Sequence, residues 1–298
     1  MENELARIAL TAYRVMFYVA LEQYQPQEHR LIHDDLAREM LPARLKLLLT
    51  LFGFKPLRQA FLGLIERGFP GTRGGLCRKR YIDDKLLEAL GSGIETVVIL
   101  GSGLDTIAYR IPQLSNLRVY EVDLPQTIAY KRKKLRQLYG SIPPHVRLAP
   151  IDFGRQRLED VLQNQRYAPD RKSFFIWEGV TQYISENAVR TVLEFLAKVE
   201  PGSRLVFTYI VKDFIDGQRT YGLERLYQQT RVKNQIWQFG LLPSQVAPFI
   251  REYSWRELEQ AGADEFRLRY LNPMGRTETV MQIERVVYAE KTTTKKSS

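Results

Sequence analysis

The apolar positions of this chain fall into two regimes. Up to about residue 95 they recur at helical spacing. "ELARIALTAYRVMFYVALEQY" shows that spacing clearly, and "LPARLKLLLTLFGFKPLRQAFLGLIE" is unusually apolar, with four basic residues before Glu66. From residue 95 onward short, nearly continuous apolar runs take over: "TVVIL" (96–100), "RVYEV" (118–122), "VRLAP" (146–150), "SFFIW" (173–177) and "RLVFTYI" (204–210). Runs of that kind suit strands covered on both faces. Helical stretches alternate with them. In "SENAVRTVLEFLAKV", Ser185 stands as N-cap, and Pro201 and Gly202 stop the helix. The alternation predicts right-handed βαβ crossovers and a mainly parallel sheet. Further on, "SWRELEQAGADEF" reads as a helix ending at Gly262, followed by two final strands near 266–271 and 279–289. With no internal repeat and no Pro/Ser-rich linker, the expectation is one compact unit. It comprises a helical cover over 1–94, an α/β core over 95–290 with an insertion at about 211–250, and a disordered tail over 291–298.

Composition narrows this picture only a little. Apolar content of 44 % and charged content of 26 % are globular values. The one cysteine, Cys77, excludes an internal disulfide, provides no metal-site spacing, and fits a reducing, cytoplasmic setting. The opening "MENELARIALTAYR" is broken by charges and lacks a signal-peptide pattern. The net charge of +10 includes Lys291, Lys295 and Lys296 of the expected tail. "KRKKLR" (131–136) falls on a helix whose stripe is Ile128, Leu135, Leu138 and Tyr139, so it reads as a solvated face ahead of a nucleic-acid patch.

The chemistry concentrates in "VVILGSGLDT". Gly101 and Gly103 allow positive φ and close ligand approach just past a buried strand, where a helix N-terminus offers free N–H groups. Asp123 follows Gly103 by twenty residues, at the end of the second strand, where a carboxylate accepts from ribose hydroxyls. The third glycine of a dinucleotide fingerprint is replaced by Thr106, which argues against a nicotinamide.

"VVILGSGLDTIAYRI" followed by "VYEVDLPQTIAYK" resembles the signature of the leucine carboxyl methyltransferase family, whose many bacterial members are S-adenosylmethionine (SAM)-dependent O-methyltransferases. "RLIHDDLA" (30–37), "CRKRYIDD" (77–84), "IDF" (151–153) and "WEGVTQYIS" (177–185) match further family segments in order. The resemblance covers roughly residues 8 to 290. It implies a Rossmann-like methyltransferase fold with a seven-stranded, mainly parallel sheet, an antiparallel last strand and an N-terminal helical cover. It also implies SAM as cofactor and assigns roles. Arg78 would pair with the SAM carboxylate, with Arg80 as the alternative one register away. Gly101 and Gly103 would line the methionine part and the ribose, and Asp123 would hold the ribose hydroxyls. Asp152 and Phe153 would flank the adenine, and Glu178 would sit beside the methionyl ammonium. Two positions depart from the pattern: Ile107 stands where family members commonly carry arginine, and Ile99 where the general methyltransferase pattern has an acid.

A carboxylate acceptor is already a nucleophile, whereas a hydroxyl needs a base. The histidines are His29, His33 and His145, and none stands out as one. The expected partner is therefore a small molecule bearing a carboxylate or acidic hydroxyl. Aromatic residues of the insertion (Phe214, Tyr221, Tyr227, Trp237, Phe239) suggest an apolar acceptor, although most such residues simply pack on the sheet. "RLKLLLTLFGFKPLR" is basic and amphipathic, the composition of a segment resting on a membrane surface. Two alternatives stay open. One is a nucleic-acid methyltransferase, disfavoured because "WEGVTQY" replaces the segment that receives a flipped base. The other is a non-catalytic binding module on the same fold.

Overall fold

The computed structural model describes residues 2–153 and 155–293. Among them seven strands form one sheet: β1 (Thr96–Leu100), β2 (Arg118–Asp123), β3 (Val146–Pro150), β4 (Ser173–Trp177), β5 (Arg204–Ile210), β6 (Trp255–Ala261) and β7 (Glu284–Lys291). Their order across the sheet is β3-β2-β1-β4-β5-β7-β6. Pairings from β3 through β5 are parallel, and β7 runs antiparallel to both β5 and β6. This is the Rossmann-like sheet with a reversed last strand.

Burial on both faces explains the unbroken apolar runs. Val97 and Ile99 of β1 point into one core and Val98 and Leu100 into the other; Phe174 and Ile176 of β4 alternate with Phe175 and Trp177 in the same way. The first core is closed by the helices Glu2–Glu22, Gly75–Leu90 and Pro125–Tyr139, through side chains such as Met16, Tyr81 and Ile128. The second is closed by Leu158–Asn164, Glu186–Leu196 and Pro243–Arg251. In the Glu186–Leu196 helix, Ser185 accepts from the Ala188 N–H, which is the N-cap that its sequence predicts. β1 ends at the crevice on either side of which the chain order reverses, the usual ligand position in such sheets.

The structure corrects three expectations. "WRELEQA" is the edge strand β6, not a helix. Its Glu, Leu and Arg residues favour helix locally, but β7 offers an open ladder and Trp255 inserts beside Phe175, with ring centroids 6.5 Å apart. Residues 266–271, expected as a strand, complete the short helix Ala263–Phe266 and continue as the π-helical turn Arg267–Leu271, burying Phe266, Tyr270 and Leu271. The i,i+4 spacing of Phe266 and Tyr270 carries that helical phase. Finally, Lys291, assigned to the tail, is the buried last residue of β7, whereas the rest of that expected tail, 294–298, lies outside the described residues.

Candidate functional site

The carboxyl ends of β1, β2 and β4 converge on a cavity of about 400 Å³. The turn after β1 is pinned to β2: the N–H groups of Gly101 and Ser102 donate to the Val122 carbonyl at 2.8 and 3.1 Å. Gly101 holds φ of +74° and Gly103 of +48°. Asp123 turns back over this loop, its carboxylate accepting from the Gly103 N–H at 2.6 Å and the Leu124 N–H at 2.7 Å. Burial raises the Asp123 pKa above the ordinary carboxylate value, and these two N–H groups and Thr127 offset part of that rise.

The cavity floor is ionic. The Gly75–Leu90 helix sends Arg78 and Lys79 into it side by side. Arg78 Nε donates to Glu178 Oε1 at 2.7 Å, and a terminal Arg78 nitrogen donates to Glu284 Oε1 at 2.5 Å. Lys79 Nζ lies 2.5 Å from Asp105 Oδ2 and 3.1 Å from Glu178 Oε2. Burial opposes each of these charges, but pairing wins. Lys79 is pushed up to about 12, and Asp105 and Glu178 are held below the carboxylate range by Lys79 together with Arg110 or Arg78. Behind Asp105, Arg110 forks onto Asp83 at 2.6 and 2.7 Å.

All seven residues singled out in the sequence line this one cavity: Arg78, Gly101, Gly103, Asp123, Asp152, Phe153 and Glu178. Of the two arginines, Arg78 lines the cavity, whereas Arg80 pairs with Asp84 at 2.8 Å and stays outside the lining. The guanidinium of Arg78 is already engaged by two carboxylates, an arrangement that its sequence motif does not disclose. Sequence reasoning assigned no role to Lys79, Ser102 or the wall made by Thr11, Ala12, Val15 and Met16 of the first helix. The Lys79 signal was present in "CRKRYIDD", where three cations in a row leave the helix register to decide which are buried. "KRKKLR" was read as solvated, yet Lys131 is fully buried on Glu121 at 2.7 Å. A carboxylate inside the second strand needed a cation, and Lys131 faces the sheet.

Of the insertion aromatics, Phe214, Trp237 and Phe239 are packed in the second core, and Gln238 reaches the main cavity. A neighbouring cavity of about 170 Å³ shares Arg78, Gly179 and Tyr183 with the first and is walled by Phe69, Ile210, Leu226, Trp237 and Met281. His29 and His33 are exposed, and His145 Nε2 lies 3.0 Å from the Ala108 carbonyl oxygen, so no histidine lines either cavity.

Such a sheet, with a glycine turn after β1 and an acid ending β2, defines a methyltransferase-type nucleoside-binding fold. Solved structures agree on the fold. A methyltransferase-titled crystal structure from Thermobifida fusca YX matches at TM-score 0.53 and 17 % identity over 79 % of this chain and 88 % of its own. A DUF574 family protein from Streptomyces avermitilis matches at 0.50 and 14 % over 77 % and 88 %. The family model described as leucine carboxyl methyltransferase matches residues 12–197, and the chain belongs to that family. Its relatives carry the name of SAM-dependent methyltransferases. YktD of Bacillus subtilis is 37 % identical over 45 % of this chain and 44 % of its own length. A Mycobacterium avium protein is 28 % identical over 85 % of this chain and 86 % of its own. The first two relatives are thus matched over only about half of their length.

The lining fits SAM on its own chemistry. Ser102 Oγ is buried in the cavity wall without a partner, the glycine turn leaves main chain bare, and carboxylates and cations alternate along the floor. SAM presents the complement: ribose hydroxyls, an amine-bearing base, a carboxylate and an ammonium.

Proposed function

We propose that the chain is a SAM-dependent O-methyltransferase acting on the carboxylate, or an acidic hydroxyl, of a small apolar molecule. Asp123 is the observation that carries this reading: a buried carboxylate at the end of β2, folded over the glycine turn where a ribose would lie. Asp123 would accept from the ribose hydroxyls and Asp152 from the adenine amine, with Phe153 against the ring. At the other end Glu178 and Asp105 would face the ammonium, and Lys79 and Arg78 the carboxylate.

SAM supplies a methyl group on a sulfonium, which an oxygen nucleophile displaces in line while the bonding electrons return to sulfur. The chain's part is alignment and exclusion of water. Thr11, Ala12, Val15 and Met16 wall the cavity on one side and Tyr183 and Gln238 on another. The smaller cavity, in which Phe69, Ile210, Leu226 and Trp237 stand opposite Arg14 and Arg78, is the natural seat for an apolar acceptor with an anionic end. No histidine base reaches either cavity, and the carboxylates on the floor are engaged by cations. That supports an acceptor already anionic near neutral pH. The single buried thiol, Cys77, supports a reducing compartment.

Calorimetric titration with SAM and with its demethylated product tests the cofactor. Micromolar binding is expected, weakened about 100-fold in Asp123→Ala, the cost of two charge-assisted hydrogen bonds. A folded Asp123→Ala protein that binds SAM as well as the wild type would remove the basis of the assignment. Transfer of labelled methyl to a panel of apolar carboxylic acids and phenols then separates the two acceptor chemistries.

A further inference from the structure

Among the described residues, half of the exposed large apolar side chains crowd into one short segment. Leu47, Leu51, Phe54, Leu57 and Leu64 are 68, 55, 67, 43 and 67 % exposed, and they project from two helices, Ala43–Leu51 and Lys55–Gly68, that meet at a bend of 113°. The underside of this corner is well anchored. Phe52 and Phe61 pack on Phe17 of the first helix with ring centroids 6.2 and 6.1 Å away, and Tyr24 Oη donates to the Leu49 carbonyl at 2.7 Å. The outward face is therefore a formed ridge and not a loosely packed element.

Charge identifies what that ridge meets. No Asp or Glu occurs between Leu41 and Ile65, nor between Pro125 and Tyr139. The second of these segments is the helix that abuts the base of the corner: Lys134 Nζ donates to the Leu41 carbonyl at 2.8 Å and Tyr130 Oη to the Met40 carbonyl at 3.0 Å. Arg132, Lys133 and Arg136 line a groove on that helix, and Arg44 and Lys55 are exposed on the corner itself. Of the acids that bound this stretch, Glu39 is paired with Lys46, and Glu66 at the far end of the second helix accepts from the Gly71 N–H at 3.0 Å. Burial, and after it the repulsion of Lys46 and Lys133, lowers the Lys134 pKa, and Glu39 offsets part of that.

We propose that this corner is a docking surface for a lipid bilayer bearing anionic headgroups, with Leu47, Leu51, Phe54, Leu57 and Leu64 inserted at the interface and Arg44, Lys55 and Lys133 on the headgroups. An apolar ridge flanked by cations is the pattern of an interfacial anchor. A second copy would bring the same positive charge to the contact, which disfavours self-association through this face. Phe52, Phe61 and the Leu49 carbonyl hold the underside of the corner to the first helix, so the contact is peripheral. The occupied depth is that of side chains, and the sheet remains in water.

Co-sedimentation of the full chain with vesicles of phosphatidylcholine, alone and mixed with phosphatidylglycerol, tests this. Binding is expected to the mixed vesicles, weakened by added salt. Lys133→Ala should weaken it about fivefold, the effect of one cation near such a surface. Leu51→Ser and Phe54→Ser should abolish it while leaving the thermal midpoint and the SAM titration unchanged, since both side chains are exposed and outside the cavity. Absence of binding to the mixed vesicles overturns the proposal. So does binding that is indifferent to Phe54→Ser, or a dimer of the free protein that this substitution dissolves.

Discussion

A methyl group added at Gly101 would stand 2.1 Å from Val180 Cγ2, at a φ that already costs an L-residue about 1–2 kcal/mol. Valine is stiff at χ1 and cannot swing aside freely. At Gly103 the same methyl would meet Ala12 Cβ at 3.3 Å, a contact that a small shift relieves. Gly101→Ala is therefore expected to lose about 3 kcal/mol in urea unfolding, strain and overpacking together, and Gly103→Ala about 1 kcal/mol. Equal losses would mean that Val180 yields. Both glycines were legible as a ligand turn, whereas the packing demand at Gly101 depends on a residue 79 positions later and was not. The same holds for Asp123, whose place at the end of β2 follows from spacing but whose grip on the Gly103 N–H needs the folded loop.

The Gly75–Leu90 helix is the element on which the floor of the cavity rests. Lys79 is enclosed by Asp105 and Glu178, so Lys79→Met leaves two buried carboxylates short of a cation, at a cost of about 3 kcal/mol. The pH dependence follows from the signs. In the wild type both carboxylates have folded pKa values below their unfolded ones, which contributes stability above the unfolded pKa that is lost as pH falls through the folded one. Without Lys79, burial dominates and the folded values rise, so the carboxylates are destabilising when ionised and tolerated when protonated. Thermal melts should show the largest gap between variant and wild type near pH 8, narrowing towards pH 4. A gap independent of pH would place the role of Lys79 in packing. Elements were legible where tertiary demands agreed with local ones: β1, β3, β4 and β5 are covered on both faces, and their apolar runs bound them to the residue. β6 was not, because of its seven residues only Trp255 and Ala261 are buried, and its Glu- and Leu-containing segment reads as helix until β7 is placed beside it.

Across the whole molecule the N-terminal helices and the sheet share a core. Met16, Phe17 and Leu21 belong to the same buried cluster as Val97, Ile99, Phe174 and Val206. Deletion of residues 1–70 should uncover the part of this core that Met16, Phe17 and Leu21 close and yield no folded monomer by gel filtration and near-ultraviolet circular dichroism. A soluble, native-like remainder would show that the cover is a separable lid. β7 adds an order of events to this architecture. It lies between β5 and β6, and its first residue, Glu284, clamps Arg78 across 206 positions of chain. During synthesis β6 leaves the ribosome with no strand to pair with, and Arg78 waits with one carboxylate missing, until β7 follows. A chain terminated prematurely after β5 would carry the glycine turn and Asp123, yet lack the contact that fixes the floor beneath them. Completion of the site thus waits on the last strand of the sheet.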